Sequence, residues 1–301
     1  MGFRDIPRPF VCCVLIDDPT VPGAIKTLKL GEYEGADAFD LELQGLDPDQ
    51  RTPQALRPLF EATTKPIYTV YRRYTFHRAE RVRTEKDDLD RMHRQLDLIA
   101  LGSLGFDMEL DTFDPQPGPP SNTPEGKRYN YDRSSPPREI TIDPRAVEQQ
   151  VRIVEEAHRR GGEVMFSTHN STRLSPEGAL AMGRLAEERG GDAVKIVQFC
   201  ANDEDVVEAL ASTIRLKREL TIPFAFMAMG EYGKLTRIIA PLLGSMLVFA
   251  RHDYGLPTYV EQPPVRAMKA FFANADFRIT RHAQDFLPEK LQDAVADAVF
   301  Q

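Results

Sequence analysis

Residues 163–200 read EVMFSTHNSTRLSPEGALAMGRLAEERGGDAVKIVQFC, and this stretch decides the fold. EVMFST (163–168) is a short apolar run of residues that suit a pleated, half-buried strand. SPEGALAMGRLAEERGG (175–191) follows with a helical pattern, opened by Ser175 and Pro176 and closed by Gly190 and Gly191. AVKIVQFC (193–200) is then a second apolar run. A strand, a crossover helix and a second strand in so short a span make a parallel βαβ unit.

The same alternation extends outward in both directions. Upstream apolar runs are FVCCVLI (10–16), AFDLELQ (38–44), PIYTVY (66–71) and GFDMELD (105–111), and downstream ones are PFAFMAMG (223–230) and SMLVFAR (245–251). Helical stretches separate them, notably 78–101, DPRAVEQQVRIVEEAHRRGG (143–162) and NDEDVVEALASTIRLKREL (202–220). The last of these carries acids in its first turn and bases in its last, matching the helix dipole. Strands alternating with helices predict a (β/α)8 TIM barrel occupying 1–301 as a single domain. A doubly wound open sheet is the alternative that the pattern leaves open.

Two segments depart from the rhythm. TFDPQPGPPSNTPEGKRYNYDRSSPPREITI (112–142) is a Pro-rich loop inserted after the fourth strand. At about thirty residues it is long for a compact domain, and reads either as an irregular insertion or as a lid or subunit contact on the active face. The tail after Ala275 has the pattern of an extra C-terminal helix packed outside the barrel.

Bulk properties exclude several classes. With 42% hydrophobic and 28% charged residues, the chain has a soluble globular balance. It has no apolar run of the roughly eighteen residues needed to span a membrane. The short apolar run near the N-terminus meets acidic residues at once and reads as a first strand rather than a signal peptide. A net charge of −8 argues against a nucleic-acid partner. Cys12, Cys13 and Cys200 all lie in apolar runs and form no disulfide framework, which points to a reducing, cytoplasmic setting. No Cys/His spacing suggests a metal, and no glycine loop of the phosphate-cradling type suggests a nucleotide cofactor.

In a barrel, chemistry sits where strands end at the carboxyl-terminal face. Lys195 lies inside the apolar strand AVKIVQFC. It is either a buried ion-pair partner or an amine whose pKa desolvation lowers, which would let it attack a carbonyl and form a Schiff base. His169 ends the preceding strand and is brought beside it as a proton-transfer group. Glu109, one strand earlier, is read either as the carboxylate that orients His169 or as an acid paired to a neighbouring Arg. Arg237 follows the turn Gly230 to Gly233, and is either a carboxylate clamp or a surface charge. Met227 and Met229 read as soft apolar walls.

These pieces, in this order, resemble the type I 3-dehydroquinate dehydratases. GDAVKIV resembles that family's Schiff-base strand, STHN its catalytic-His strand, and GFDMEL the strand whose Glu pairs with that His. MAMGEYGKLTR and GSMLVFA are similar to the family's segments around the later strands. The resemblance implies a carbon–oxygen lyase without a cofactor, in which Lys195 condenses with the C3 ketone of 3-dehydroquinate. His169 then moves the C2 proton and helps the C1 hydroxyl leave, while Glu109 holds His169. It further implies substrate contacts from Glu42, Arg72, Arg237, Gln262 and Thr258, a pocket lined by Met227, Met229 and Phe249, a homodimer, and a place in the shikimate pathway. This chain departs from the family in carrying Gln44 where the family's Glu-x-Arg has its Arg, in the residues 258–261 and in the 112–142 insertion. A related cyclic keto acid, a class I aldolase-type Schiff-base lyase and a non-catalytic ligand-binding relative are the competing readings.

Overall fold

A computed structural model describes residues 2–72, 85–116, 139–170, 174–253 and 261–275. Within them lie the strands β1 (Phe10–Leu15), β2 (Ala38–Glu42), β3 (Ile67–Val70), β4 (Gly105–Glu109), β5 (Glu163–His169), β6 (Ala193–Phe199), β7 (Phe224–Met229) and β8 (Leu247–Ala250). All pair in parallel, in the order β7-β6-β5-β4-β3-β2-β1-β8. The sheet curls so that its two outer strands meet: Met246 N–H donates to Phe224 O at 2.7 Å, and Phe226 N–H to Ser245 Oγ at 3.0 Å. The fold is therefore a (β/α)8 barrel, and the open-sheet alternative falls away.

The helices form over the stretches with helical pattern, and oxygen side chains cap their starts. Asp143 accepts from the N–H groups of Arg145 and Ala146 at the start of Pro144–Arg159. Ser175 caps Pro176–Glu188, and Asn202 caps Asp203–Glu219. Such caps satisfy amide donors that the first helical turn leaves unpaired. The helix expected over 78–101 is described from Glu85 to Ile99.

Strand parity sorts side chains into two layers. Outward residues such as Phe106, Met108, Phe166, Val194 and Ile196 pack with Met92, Leu96, Val154, Ala179 and Leu216 into the sheet–helix core. Inward residues such as Phe10, Cys12, Tyr68, Met165, Val197, Met227 and Phe249 form a second core inside the barrel. Phe3, from a short 3-10 turn before β1, meets Tyr68 edge-on at 5.8 Å and helps close the barrel floor. Gly105 starts β4 at φ +159°, where a Cβ would stand 1.9 Å from Glu163 O, so only glycine lets β4 lie this close to β5.

Of the 112–142 insertion, residues 117–138 lie outside the described residues, as does the helix expected after Ala275. Both ends of the loop are tied to the barrel. Thr141 N–H donates to Leu110 O at 3.1 Å. The buried Arg189 donates to Leu110 O at 2.9 Å, Gln150 Oε1 at 2.8 Å and Thr141 O at 2.7 Å. By packing, the chain divides into Met1–Met268, which holds the barrel, and Lys269–Gln301.

Candidate active site

Inward parity carries a column of ionisable groups up the barrel. β2 presents Asp40 and Glu42, β4 presents Asp107 and Glu109, β5 ends on His169, and β6 presents Lys195. Ser167 is level with Lys195 across the β5–β6 ladder, so His169 stands two residues higher on the neighbouring strand. That offset is about 7 Å along the strand axis. Lys195 is thus at mid-depth and His169 at the mouth.

Lys195 is almost fully buried, and its Nζ lies 2.7 Å from Asp107 Oδ2. The same Nζ sits 5.5 Å from the centre of the Phe249 ring, whose negative face favours a cation. Burial pushes the amine toward neutrality, but Asp107 outweighs it, and the pKa is raised. Of the two readings of Lys195, the ion pair describes the resting protein, and the expected lowering of its pKa does not occur. The physical reason is a carboxylate two residues before Glu109, on the same inward face.

Of the two readings of Glu109, the pairing with an Arg describes the resting protein. Its Oε2 lies 3.0 Å from Nη1 of Arg91, a buried cation that also pairs with Asp88 at 2.7 Å. The carboxylate that meets His169 is that of Glu139, just before the anchored Thr141. Glu139 Oε2 accepts from the backbone N–H of His169 at 2.8 Å and lies 2.8 Å from its Nδ1. Glu139 Oε1 accepts from Arg72 Nη2 at 2.9 Å. Arg72 Nη1 in turn approaches the imidazole nitrogens, with Nε2 at 2.5 Å. The tautomer that serves both contacts has Nδ1–H donating to Glu139 and Nε2 accepting from Arg72. Burial and then Arg72 lower the His169 pKa against the opposing pull of Glu139, so the ring is neutral near pH 7. Burial alone would raise Glu139, yet Arg72 and His169 hold it well below the usual carboxylate range.

The β2 side behaves differently. Burial, with only partial relief from Lys195, pushes Asp40 up to about 7. Burial and the neighbouring Asp40 push Glu42 up to about 8. Gln44 donates to Glu42 through Nε2 and accepts from the Arg72 backbone N–H through Oε1 at 3.2 Å. The position expected to lack a cation therefore holds an amide that ties β2 to the end of β3.

The remaining predicted residues distribute as follows. Met227 and Met229 face inward on β7, and Phe249 on β8. Arg237 is 5% exposed, with Nη1 3.6 Å from Met227 Sδ, so it is not a surface charge. Gln262 is buried on the segment after β8, which is pinned by Arg251 N–H to Pro263 O at 2.9 Å and by Gly230 N–H to Glu261 Oε1 at 3.2 Å. Thr258 lies outside the described residues. Reading the sequence for function missed Asp40, Asp107 and Glu139. The first two had a signal, since each lies two residues before a chosen acid and strand faces repeat every second residue. Glu139 had none, lying in a loop without periodicity. Among the described residues no group of His, Cys, Asp and Glu could hold a metal ion.

The fold is a (β/α)8 barrel that brings a buried lysine at mid-depth and a histidine at its mouth to one side of its interior. The family model of the type I 3-dehydroquinases matches residues 134–274. The 3-dehydroquinate dehydratase of Methanosarcina acetivorans is 26% identical over 268 residues, spanning 86% of this chain and 91% of that protein. That of Alkaliphilus oremlandii is 34% identical over 100 residues, which span 33% of this chain and only 39% of its own length. The crystal structure of 3-dehydroquinate dehydratase from Geobacillus kaustophilus superposes with a TM-score of 0.68 at 19% identity, covering 92% of this chain and 97% of that one. The family-model match spans a little under half of this chain, and the chain spans less than half the length of the curated relatives it matches at 30% identity or more.

Proposed function

We propose that this protein is a Schiff-base hydro-lyase that dehydrates 3-dehydroquinate to 3-dehydroshikimate, with Lys195 as nucleophile and His169 as proton carrier. The observation that carries the reading is the lone inward lysine of β6, with a neutral imidazole two residues higher on β5. Lys195 rests as an ammonium, so substrate must meet it after its proton has passed to a nearby carboxylate, for which Asp107 is in contact. The amine adds to the C3 ketone and water leaves, giving a cationic iminium. The C2 proton then goes to His169 Nε2, with its electrons drawn toward the iminium nitrogen. Arg72 occupies Nε2 in the resting site, so substrate has to draw that guanidinium away. The proton on His169 is returned to the departing C1 hydroxyl, and water hydrolyses the product iminium to free Lys195.

Around this centre, Arg237, Gln262 and Thr258 are proposed carboxylate and hydroxyl contacts, with Glu42 and Arg72 on the opposite rim. Met227, Met229 and Phe249 form apolar walls. Glu109 is assigned to holding Arg91 and the mouth rather than the imidazole. The three free cysteines are buried, which supports a reducing, cytoplasmic setting, and the family supports a homodimer acting in the shikimate pathway toward aromatic amino acids.

Borohydride reduction in the presence of 3-dehydroquinate, followed by intact-mass measurement, tests the chemistry. A covalent adduct on Lys195 together with an absorbing enone product supports it. An adduct without product would shift the substrate to another cyclic keto acid. Absence of both would remove the assignment.

A further inference from the structure

Glu139 belongs to the distal end of the β4 loop, yet among the described residues it is the carboxylate that contacts His169, at both the backbone N–H and Nδ1. Its backbone has a φ of +51°, an uncommon conformation for a residue with a side chain. That conformation is held from one side by Thr141, itself locked by Leu110 and by the buried Arg189. It is held from the other by the His169 backbone N–H and the Arg72 guanidinium. A carboxylate that takes the backbone N–H and the Nδ1 of one histidine fixes both the position and the tautomer of that ring.

We propose that Glu139 is the positioning residue of His169, so that the proton-transfer group of β5 is oriented by the inserted loop and not by the barrel's own β4 carboxylate. The inference rests on His169 being the proton carrier assigned above. Through Glu139, the Nδ1–H tautomer is enforced and Nε2 is left as the base that substrate must reach. Arg72 is bound to the same carboxylate, so the loop end also parks the guanidinium at the mouth. The charged groups facing the ring are Arg72 from β3, Glu139 from the loop and Lys195 from β6, with Glu109 of β4 beside Glu139. Among them, Glu139 is the anion in direct contact, and the two cations oppose protonation of the ring.

Two measurements on Glu139→Gln separate this proposal from the reading beneath it. NMR titration of the His169 ring, one of six histidines, needs no substrate. The proposal expects the ring to titrate at lower pH than in the wild type, and to lose its single-tautomer signature. If the wild type turns over 3-dehydroquinate, the acid limb of its kcat/KM profile moves to lower pH in the variant, and plateau kcat falls about tenfold or more. Adduct formation at Lys195 persists. A folded Glu139→Gln protein with the wild-type titration and tautomer would overturn the proposal. So would a larger displacement of the His169 titration in Glu109→Gln. If no wild-type adduct or product forms with 3-dehydroquinate, the enzymatic reading fails, while the ring titration still decides the role of Glu139.

Discussion

On the β4–β6 side of the barrel, Lys195 and Asp107 face each other at 2.7 Å, and this contact raises the pKa of the amine against its burial. On the β2 side, Asp40 and Glu42 are just as deeply buried and sit on the same inward parity, but their pKa values are pushed up to about 7 and about 8. Strand geometry treats the two sides alike. What differs is the partner: a carboxylate next to an ammonium recovers the cost of leaving water, whereas two carboxylates stacked on one strand do not. One wall of the pocket therefore holds an amine whose conjugate acid is stabilised by a carboxylate. The other holds two carboxyls whose titration is moved up into the neutral range.

Breaking the charged side gives the largest effects. Lys195→Ala is expected to abolish the borohydride-trapped adduct and the enone product together; any residual adduct mapped to the barrel interior would remove Lys195 as nucleophile. The substitution also leaves Asp107 buried without its cation, a loss of order 3–5 kcal/mol where a buried pair is broken, so the variant should melt earlier by calorimetry. His169→Ala should keep the adduct but slow elimination about 10²–10⁴-fold, read as adduct that accumulates without enone absorbance.

Asp107→Asn sharpens the comparison by making the charged side resemble the other. Asp107 is what raises the Lys195 pKa against burial, so its loss lowers the pKa of the amine. The rise of adduct formation with pH should then move to lower pH, measured by trapping across a pH series. An unchanged profile would mean that Asp107 does not set the charge of Lys195.

Glu42→Gln is the mildest test. A carboxyl whose folded pKa is raised contributes stability that is complete below its unfolded pKa near 4.5 and is lost as pH rises toward about 8. Glutamine carries no such dependence. The melting temperature of the variant relative to wild type should therefore climb as pH rises through that window, in calorimetric scans from pH 5 to 8.5. A constant offset would show that Glu42 ionises normally.

Much of the architecture was legible because it rests on local rules. Asp143, Ser175 and Asn202 start helices where an oxygen side chain precedes an amphipathic run, and those rules need no tertiary information. The inward placement of Glu42, His169, Lys195, Met227 and Phe249 follows from strand parity once the strands are identified. Two readings of charge that the sequence left open turn on residues from other elements. Lys195 was weighed by its apolar sequence neighbours, but those neighbours point outward, and its real surroundings are Asp107 and Asp40 from other strands. Glu109 was matched to His169 because the strands adjoin, yet Arg91 on the helix before β4 claims that carboxylate.

The order of strands, their helices, the lysine of β6 and the histidine closing β5 were determined by the sequence alone, through periodicity and capping that act over a few residues. Only the tertiary structure decided which carboxylate holds His169, that the Lys195 pKa is raised, and that Asp40 and Glu42 are pushed up to about 7 and about 8. Charge states follow from desolvation and from partners brought in by chain closure, and a loop such as 112–142, with no repeating pattern, gives no advance sign of where its last acid will land.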